Sequence, residues 1–203
     1  MNLIDRLVTL SITLALVGSV ALRAGADKGF QVGPAAEYAH QESEKVTVGA
    51  KAYVNEDLVT SAFGKKIDFP KYGVVPVLVV IQNKRDQALD LRRLEASLVA
   101  MDGRHVNPVS PDDLPGLATT SHPSQTRVPV PVPLPKKKNP LNAPEIGMRA
   151  LSAEMLAPGD SASGFLYFEA KPEAGDKLYV NGMRDARSGQ ELLYFEFPFD
   201  KQP

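Results

Sequence analysis

The chain has 203 residues, 23 Lys and Arg against 24 Asp and Glu, a formal net charge of −1, and no cysteine. Without cysteine there is no disulfide, no thiol nucleophile, no thiolate metal site and no lipid-modified N-terminal cysteine. The near-neutral balance gives no broad electrostatic reason to seek nucleic acid or anionic lipid.

Residues 1–26 have the anatomy of a secretory signal peptide. A short polar start holds Arg6, an apolar run covers residues 7–22, and Ala24-Gly25-Ala26 offers a small-x-small cleavage site. The alternative is an uncleaved anchor helix; the apolar run lies near the lower limit for spanning a bilayer, and the small residues after it favour cleavage. Cleavage after Ala26 leaves 177 residues, enough for one hydrophobic core. It also removes two arginines and one aspartate, which moves the formal charge from −1 to −2.

Residues 27–44 are polar and without periodicity, and read as a flexible lead. The folded domain is expected over residues 45–203. "KVTVGAKAYV" alternates, with Val46, Val48, Ala50 and Ala52 on one face of a first strand. "NEDLVTSAFGKK" reads as one short helix. Asn55 caps it, Glu56 and Asp57 suit its first turn, Gly64 ends it, and Leu58, Val59, Ala62 and Phe63 form its apolar stripe. "YGVVPVLVVIQN" is almost continuously apolar, the pattern of a strand buried on both faces, with Pro76 tolerated near its start. Leu89 and Leu91 are expected to point inward. "LEASLVAMDGRHV" puts Leu94, Ala96, Leu98 and Ala100 on one side and carries an Asp102-Gly103 hairpin signal.

Residues 107–148 form a long proline-rich insertion with little periodicity. Beyond it, "MRALSAEML" and "ASGFLYFEA" read as partner strands joined by a type II turn at Pro158-Gly159. "KLYVNGM" and "ELLYFEF" read as a last hairpin, with Leu193, Phe195, Phe197 and Phe199 on one face. Many strands of similar length, turn signals between them and one short helix predict an all-β fold, an antiparallel β-sandwich.

The order "VLVVIQN", "KRDQALDL", "ASLVAMDG", "LAPGDSASGFLYFEA" and a closing hairpin resembles the immunoglobulin-like domains of exported bacterial proteins of mostly unassigned function. "FGKKIDFPKYGVVPVLVVIQN" is similar to an uncharacterised group of such exported proteins. The resemblance spans about residues 45–199 and implies an immunoglobulin-like sandwich. Its motifs are structural and transfer no catalytic residue. The proline-rich insertion departs from the shorter domains of this kind.

Within the insertion, "RVPVPVPLPKKKNP" repeats proline every second residue, at Pro129, Pro131, Pro133 and Pro135. Two is the period of a strand, whereas polyproline ligands repeat every three. Prolines at alternate positions delete donors from one edge and leave those of Val128, Val130, Val132 and Leu134 on the other. The stretch reads as an edge strand blocked against further pairing. A flexible low-complexity loop and a partner-binding arm are the alternatives. For the last of these, Val130, Val132, Lys136, Lys137 and Lys138 are the candidate surface. Residues 111–126 are expected to be removable without loss of folding.

No set of residues assembles a reaction centre in the sequence. "GDSASG" resembles the Gly-Asp-Ser block of some esterases, but no histidine follows His122 to act as base, and a Pro-Gly turn explains the glycine and aspartate. His40, His105 and His122 are not spaced as metal ligands, although Asp102 and His105 can meet across their hairpin. Asp112-Asp113 is only half of a calcium loop. No catalytic, cofactor or metal residue is therefore nominated. The expectation is a non-enzymatic binding or structural module of the bacterial cell envelope, exported to the periplasm or outside the cell. Its partner is a protein or another envelope component and not nucleic acid, and it touches membrane only if the N-terminal segment is retained. The competing expectations are a membrane-tethered module and a hydrolase or metal-dependent enzyme assembled by the fold.

Overall fold

The computed structural model describes residues 30–120 and 138–199. The fold is mostly antiparallel sheet with few helices. In chain order the elements are β1 (Ala39–Ser43), β2 (Val46–Ala52), α1 (Glu56–Phe63), β3 (Val74–Asn83), β4 (Leu89–Asp90), β5 (Glu95–Val99), β6 (His105–Val106), β7 (Pro108–Val109), α2 (Leu114–Thr120), α3 (Pro144–Met148), β8 (Met155–Leu156), β9 (Ser161–Glu169), β10 (Lys177–Asn181), β11 (Arg184–Asp185) and β12 (Phe195–Pro198). Five strands form a first sheet in the order β1-β2-β3-β9-β7. Four form a second, β12-β10-β5-β6, and three short ones a third, β11-β4-β8.

β3 is the spine. Its alternate residues Val75, Val77, Val79 and Ile81 join a core shared with Val46, Val48 and Ala50 of β2 and with Leu98, Leu178, Val180, Phe195 and Phe197 of the second sheet. Its other face, Val74, Leu78 and Val80, joins a second core beneath α1. A strand buried on both faces needs no polar alternation, which is why β3 reads as one apolar run. Each large aliphatic side chain buried here contributes about 1.5–3 kcal/mol.

Helix α1 starts and stops on local chemistry. The Leu58 N–H donates to the Asn55 side chain at 2.9 Å, and the Gly64 N–H donates to the Thr60 carbonyl at 2.8 Å. Val59, Ala62 and Phe63 are its buried side, whereas Leu58 is only half-buried. The rings of Phe30, Tyr53, Phe63, Phe69, Phe165 and Tyr167 meet beside it at centroid distances of 4.7–6.5 Å. The Arg149 guanidinium lies over Phe30 and Phe63, 5.3 and 5.8 Å from their centroids.

Asn83 ties one end of the molecule together. It is 1% exposed. Its Nδ2 donates to the carbonyls of Gln87, Leu156 and Ala157 at 2.9–3.1 Å, and its Oδ1 accepts from the Arg85 N–H. The Pro158-Gly159 turn closes there, with the Asp160 N–H on the Ala157 carbonyl and Gly159 at φ +81°. The Arg85 guanidinium reaches Asp185 at 2.9 Å and Glu44 at 3.2 Å.

Four expectations need correction. Residues 27–44 are not a uniform lead. Ala35 is fully buried, and β1 pairs over its whole length with Val46 to Ala50 of β2 through a two-residue turn in which Glu44 and Lys45 both have positive φ. The domain therefore starts before Lys45. The insertion is not separable either, because Leu114, Leu141 and Ile146 are buried in the second core, so cutting out residues 111–126 removes a core side chain. "MRALSAEML" is not one strand and is not the hairpin partner of "ASGFLYFEA", which it meets only through an isolated parallel bridge. It holds the end of α3 and the two-residue β8, which pairs with β4, while β9 pairs with β3 over nine positions and with β7. What lies along β9 is the segment at Ala150, which makes an isolated bridge to Phe165; Gly164 lets it approach, since a Cβ there would fall 2.4 Å from the Leu151 Cα. Finally, Leu193 does not share the face of Phe195 and Phe197. It is 64% exposed, because regular pairing with β10 begins only at Phe195.

Candidate binding face on the four-stranded sheet

Of the nominated surface, Val130, Val132, Lys136 and Lys137 lie outside the described residues, as does the Pro-Val repeat as a whole. Lys138 is exposed, next to Asn139, whose side chain donates to the Pro115 carbonyl at 2.7 Å. Asp102 does not meet His105. Its carboxylate binds the Arg104 side chain instead and accepts from the Arg104 N–H, and the arginine holds it below the usual carboxylate range. His40 is exposed on β1, 2.9 Å from the Tyr38 carbonyl, and His122 lies outside the described residues. Ser161 opens β9, and Asp112 is exposed. Among the described residues no three His, Asp or Glu side chains gather as metal ligands.

A different surface does converge. In the second sheet, Ala96, Leu98, Leu178, Val180, Phe195 and Phe197 face the core. Strand alternation therefore turns Glu95, Ser97 and Val99 of β5, Lys177, Tyr179 and Asn181 of β10, and Glu196 and Pro198 of β12 outward. The registers align these into rows. Glu196, Tyr179 and Ser97 lie side by side across three strands, and Asn181 sits opposite Glu95. Lys177 Nζ is 2.6 Å from Glu196 Oε1, and Tyr179 is the cross-strand partner of the same Glu196. Glu196 is accordingly held below its ordinary pKa by Lys177 first and Tyr179 second, while hydrogen bonding to Glu196 raises both Lys177 and Tyr179. The Tyr194 ring lies beside that of Tyr179 at 5.9 Å and is 61% exposed.

The β5 edge of this face is open. Pro198 has no N–H, and the Glu196 N–H points away from β10 to the Gln41 side chain, whereas the Phe199 N–H reaches back to the Asp176 carbonyl. These three facts fix the phase of the ladder. Glu95, Ser97 and Val99 turn their backbone groups to β10; Ala96 and Leu98 turn theirs to the far edge. Leu98 meets Val106 of β6 there. The position that would meet Ala96 is Pro108, but the chain has by then crossed to the first sheet, where Pro108 pairs with Phe168. The Ala96 N–H and C=O thus face no strand. They face a cavity of about 670 Å³ whose polar lining is Glu95, Ser97, His105, Asn107, Tyr179 and Asn181.

The period-two pattern of "KLYVN" and "EASLV" is the sequence signal that turns Tyr179, Asn181 and Ser97 outward. What it did not contain was the register that puts them in one row, or the early crossover that opens the edge.

No helix among the described residues is long and apolar enough to cross a membrane. No family model matches the chain, and no curated protein does. Two of the solved structures similar to it are the following. A candidate lipoprotein (ycdA) of Bacillus subtilis is 12% identical, with a TM-score of 0.41 over 80% of this chain, which spans only 39% of that one. The secreted protein MPT63 of Mycobacterium tuberculosis is 11% identical, with a TM-score of 0.36 over 81% of this chain and 95% of that one. Both scores fall below 0.5, so the description of the fold rests on its own strand pairings.

Proposed function

We propose that this chain is an exported, non-enzymatic binding module of the bacterial cell envelope, built on an immunoglobulin-like β-sandwich, and that it captures its partner on the outer face of the four-stranded sheet. Support for export comes from the leader, with Arg6, the apolar run over residues 7–22 and Ala24-Gly25-Ala26. The observation that carries the binding function is the outer face itself. One sheet face is left to solvent, its central tyrosine lies opposite the ion-paired Glu196, and a cavity of about 670 Å³ adjoins it. That volume falls within the range of about 300–1,000 Å³ typical of ligand sites.

The test has two parts. The intact mass of the protein recovered from cells should correspond to a chain starting at Asp27, in a soluble exported fraction; full-length chain held in the membrane fraction would replace this reading with the tethered one. Purified protein should retain a component of the envelope fraction, and Ser97→Arg, which projects a long charged side chain from the middle of the face, should abolish retention without unfolding. Equal retention by the variant would refute the face as the site.

A further inference from the structure

Resting on that reading, we infer that the partner is an uncharged glycan chain, whose sugar rings stack on Tyr194 and Tyr179 and whose hydroxyls bond to the polar groups beside them. Three observations point there. First, two adjacent tyrosine rings lie on the solvent side of the sheet, 5.9 Å apart and tilted by 36°, and the outer one is 61% exposed. A lone exposed tyrosine needs no explanation, but two in contact, one of them opposite an ion-paired carboxylate, form a platform with an apolar surface and polar edges.

Second, the groups around the platform suit hydroxyls and not ions. Lys177 and Glu196 neutralise each other at 2.6 Å. The remaining Ser97, Asn107, Asn181 and His105 are groups that both donate and accept hydrogen bonds, as sugar hydroxyls do. Only Glu95 brings an unpaired charge among the described residues lining the cavity, so an anionic or strongly cationic chain finds no charged counterpart set.

Third, the open edge is too short to take a peptide as an added strand. Strand addition draws its affinity from a run of main-chain bonds. On β5 the Leu98 position is occupied by β6, and the Leu94 N–H is bonded to the Leu91 carbonyl. Ala96 alone presents both groups, one donor and one acceptor for a hydroxyl and not a ladder for a polypeptide.

The experiment measures retention of the purified full chain on three samples of the insoluble envelope fraction: untreated, digested with a nonspecific protease, and oxidised with periodate, which cleaves vicinal diols. Retention should survive protease and be lost on oxidation. Tyr194→Ala should weaken binding at least tenfold, and Tyr194→Phe, which keeps the ring, should bind within about twofold of the parent; the exposure of Tyr194 lets both variants fold. Ring-dependent retention that protease destroys would overturn the glycan inference and leave the binding module standing. Retention that ignores Tyr194, Tyr179 and Ser97 alike would overturn both.

Discussion

Replacing Asn83 by Ala should be among the most damaging polar substitutions in the molecule. The side chain is 1% exposed, and four groups depend on it: the carbonyls of Gln87, Leu156 and Ala157, and the Arg85 N–H. The Leu156 contact is fully buried, so that carbonyl loses its side-chain donor with no water at hand; the other three sit nearer solvent and are partly rehydrated. One buried unsatisfied group costs about 1–3 kcal/mol, and the partly solvated ones less each. The expected total is about 2–4 kcal/mol, or about 5–15 °C in midpoint temperature for a chain of this size. Equilibrium urea denaturation measures it, with Asn55→Ala as comparison, where loss of an exposed helix cap costs about 1 kcal/mol. A loss below about 1 kcal/mol for Asn83→Ala, or one no larger than for Asn55→Ala, would refute the reasoning that this amide joins the β3–β4 bend to the turn before β9.

Leu114→Ala should destabilise by about 2–4 kcal/mol in the same assay, because a fully buried leucine from the insertion completes the second core; a loss under 1 kcal/mol would show the insertion to be detachable. Gly182→Ala should cost more than the roughly 1 kcal/mol of a left-handed alanine alone, since φ is +76° and a Cβ there would fall 1.9 Å from the Arg93 carbonyl oxygen; a near-neutral effect on the urea midpoint contradicts that packing. Acid should weaken the fold partly through Asp90. Hydrogen bonds from the Arg92 side chain, then its backbone N–H, pull that carboxyl from an ordinary 3.8 to about 2. A folded-state value below the unfolded one means stability that is present above about pH 4 and lost as the pH falls through 2. Asp90→Asn should therefore flatten the urea midpoint between pH 4 and 2, and 1 M salt should mimic part of the change; an unchanged slope would count against the pair.

Much of the fold is legible locally. The alternation of Val46, Val48, Ala50 and Ala52, the Asn55 and Gly64 boundaries of α1, and the unbroken apolar run of β3 each encode one element through side chains a few residues apart. Pairing is not encoded that way. β9 seeks β3, about eighty residues earlier, and not the neighbouring "MRALSAEML", because its aromatic side chains complete cores on both faces of β3. Covering segments leave even less signal. Leu114 and Ile146 each plug a core from short helices in a stretch without period, and Ala35 does so from a polar lead. The proposed binding face is half legible. Alternation turned Tyr179 and Ser97 outward, but the row they share with Glu196 depends on two registers, and the open edge depends on where Pro108 leaves the sheet.

Hydrogen–deuterium exchange of the full chain, alone and with the envelope fraction it retains, most directly tests whether the outer face of the four-stranded sheet binds the partner. In the free protein the Ser97 amide should be protected by β10 and the Ala96 amide should exchange fast. Added envelope material should slow exchange at residues 95–97, 105–107, 179–181 and 194–196 and leave α1 unchanged. Protection that appears instead at residues 111–120 and 141–148, or no change at Ala96 under conditions of full retention, would contradict the account.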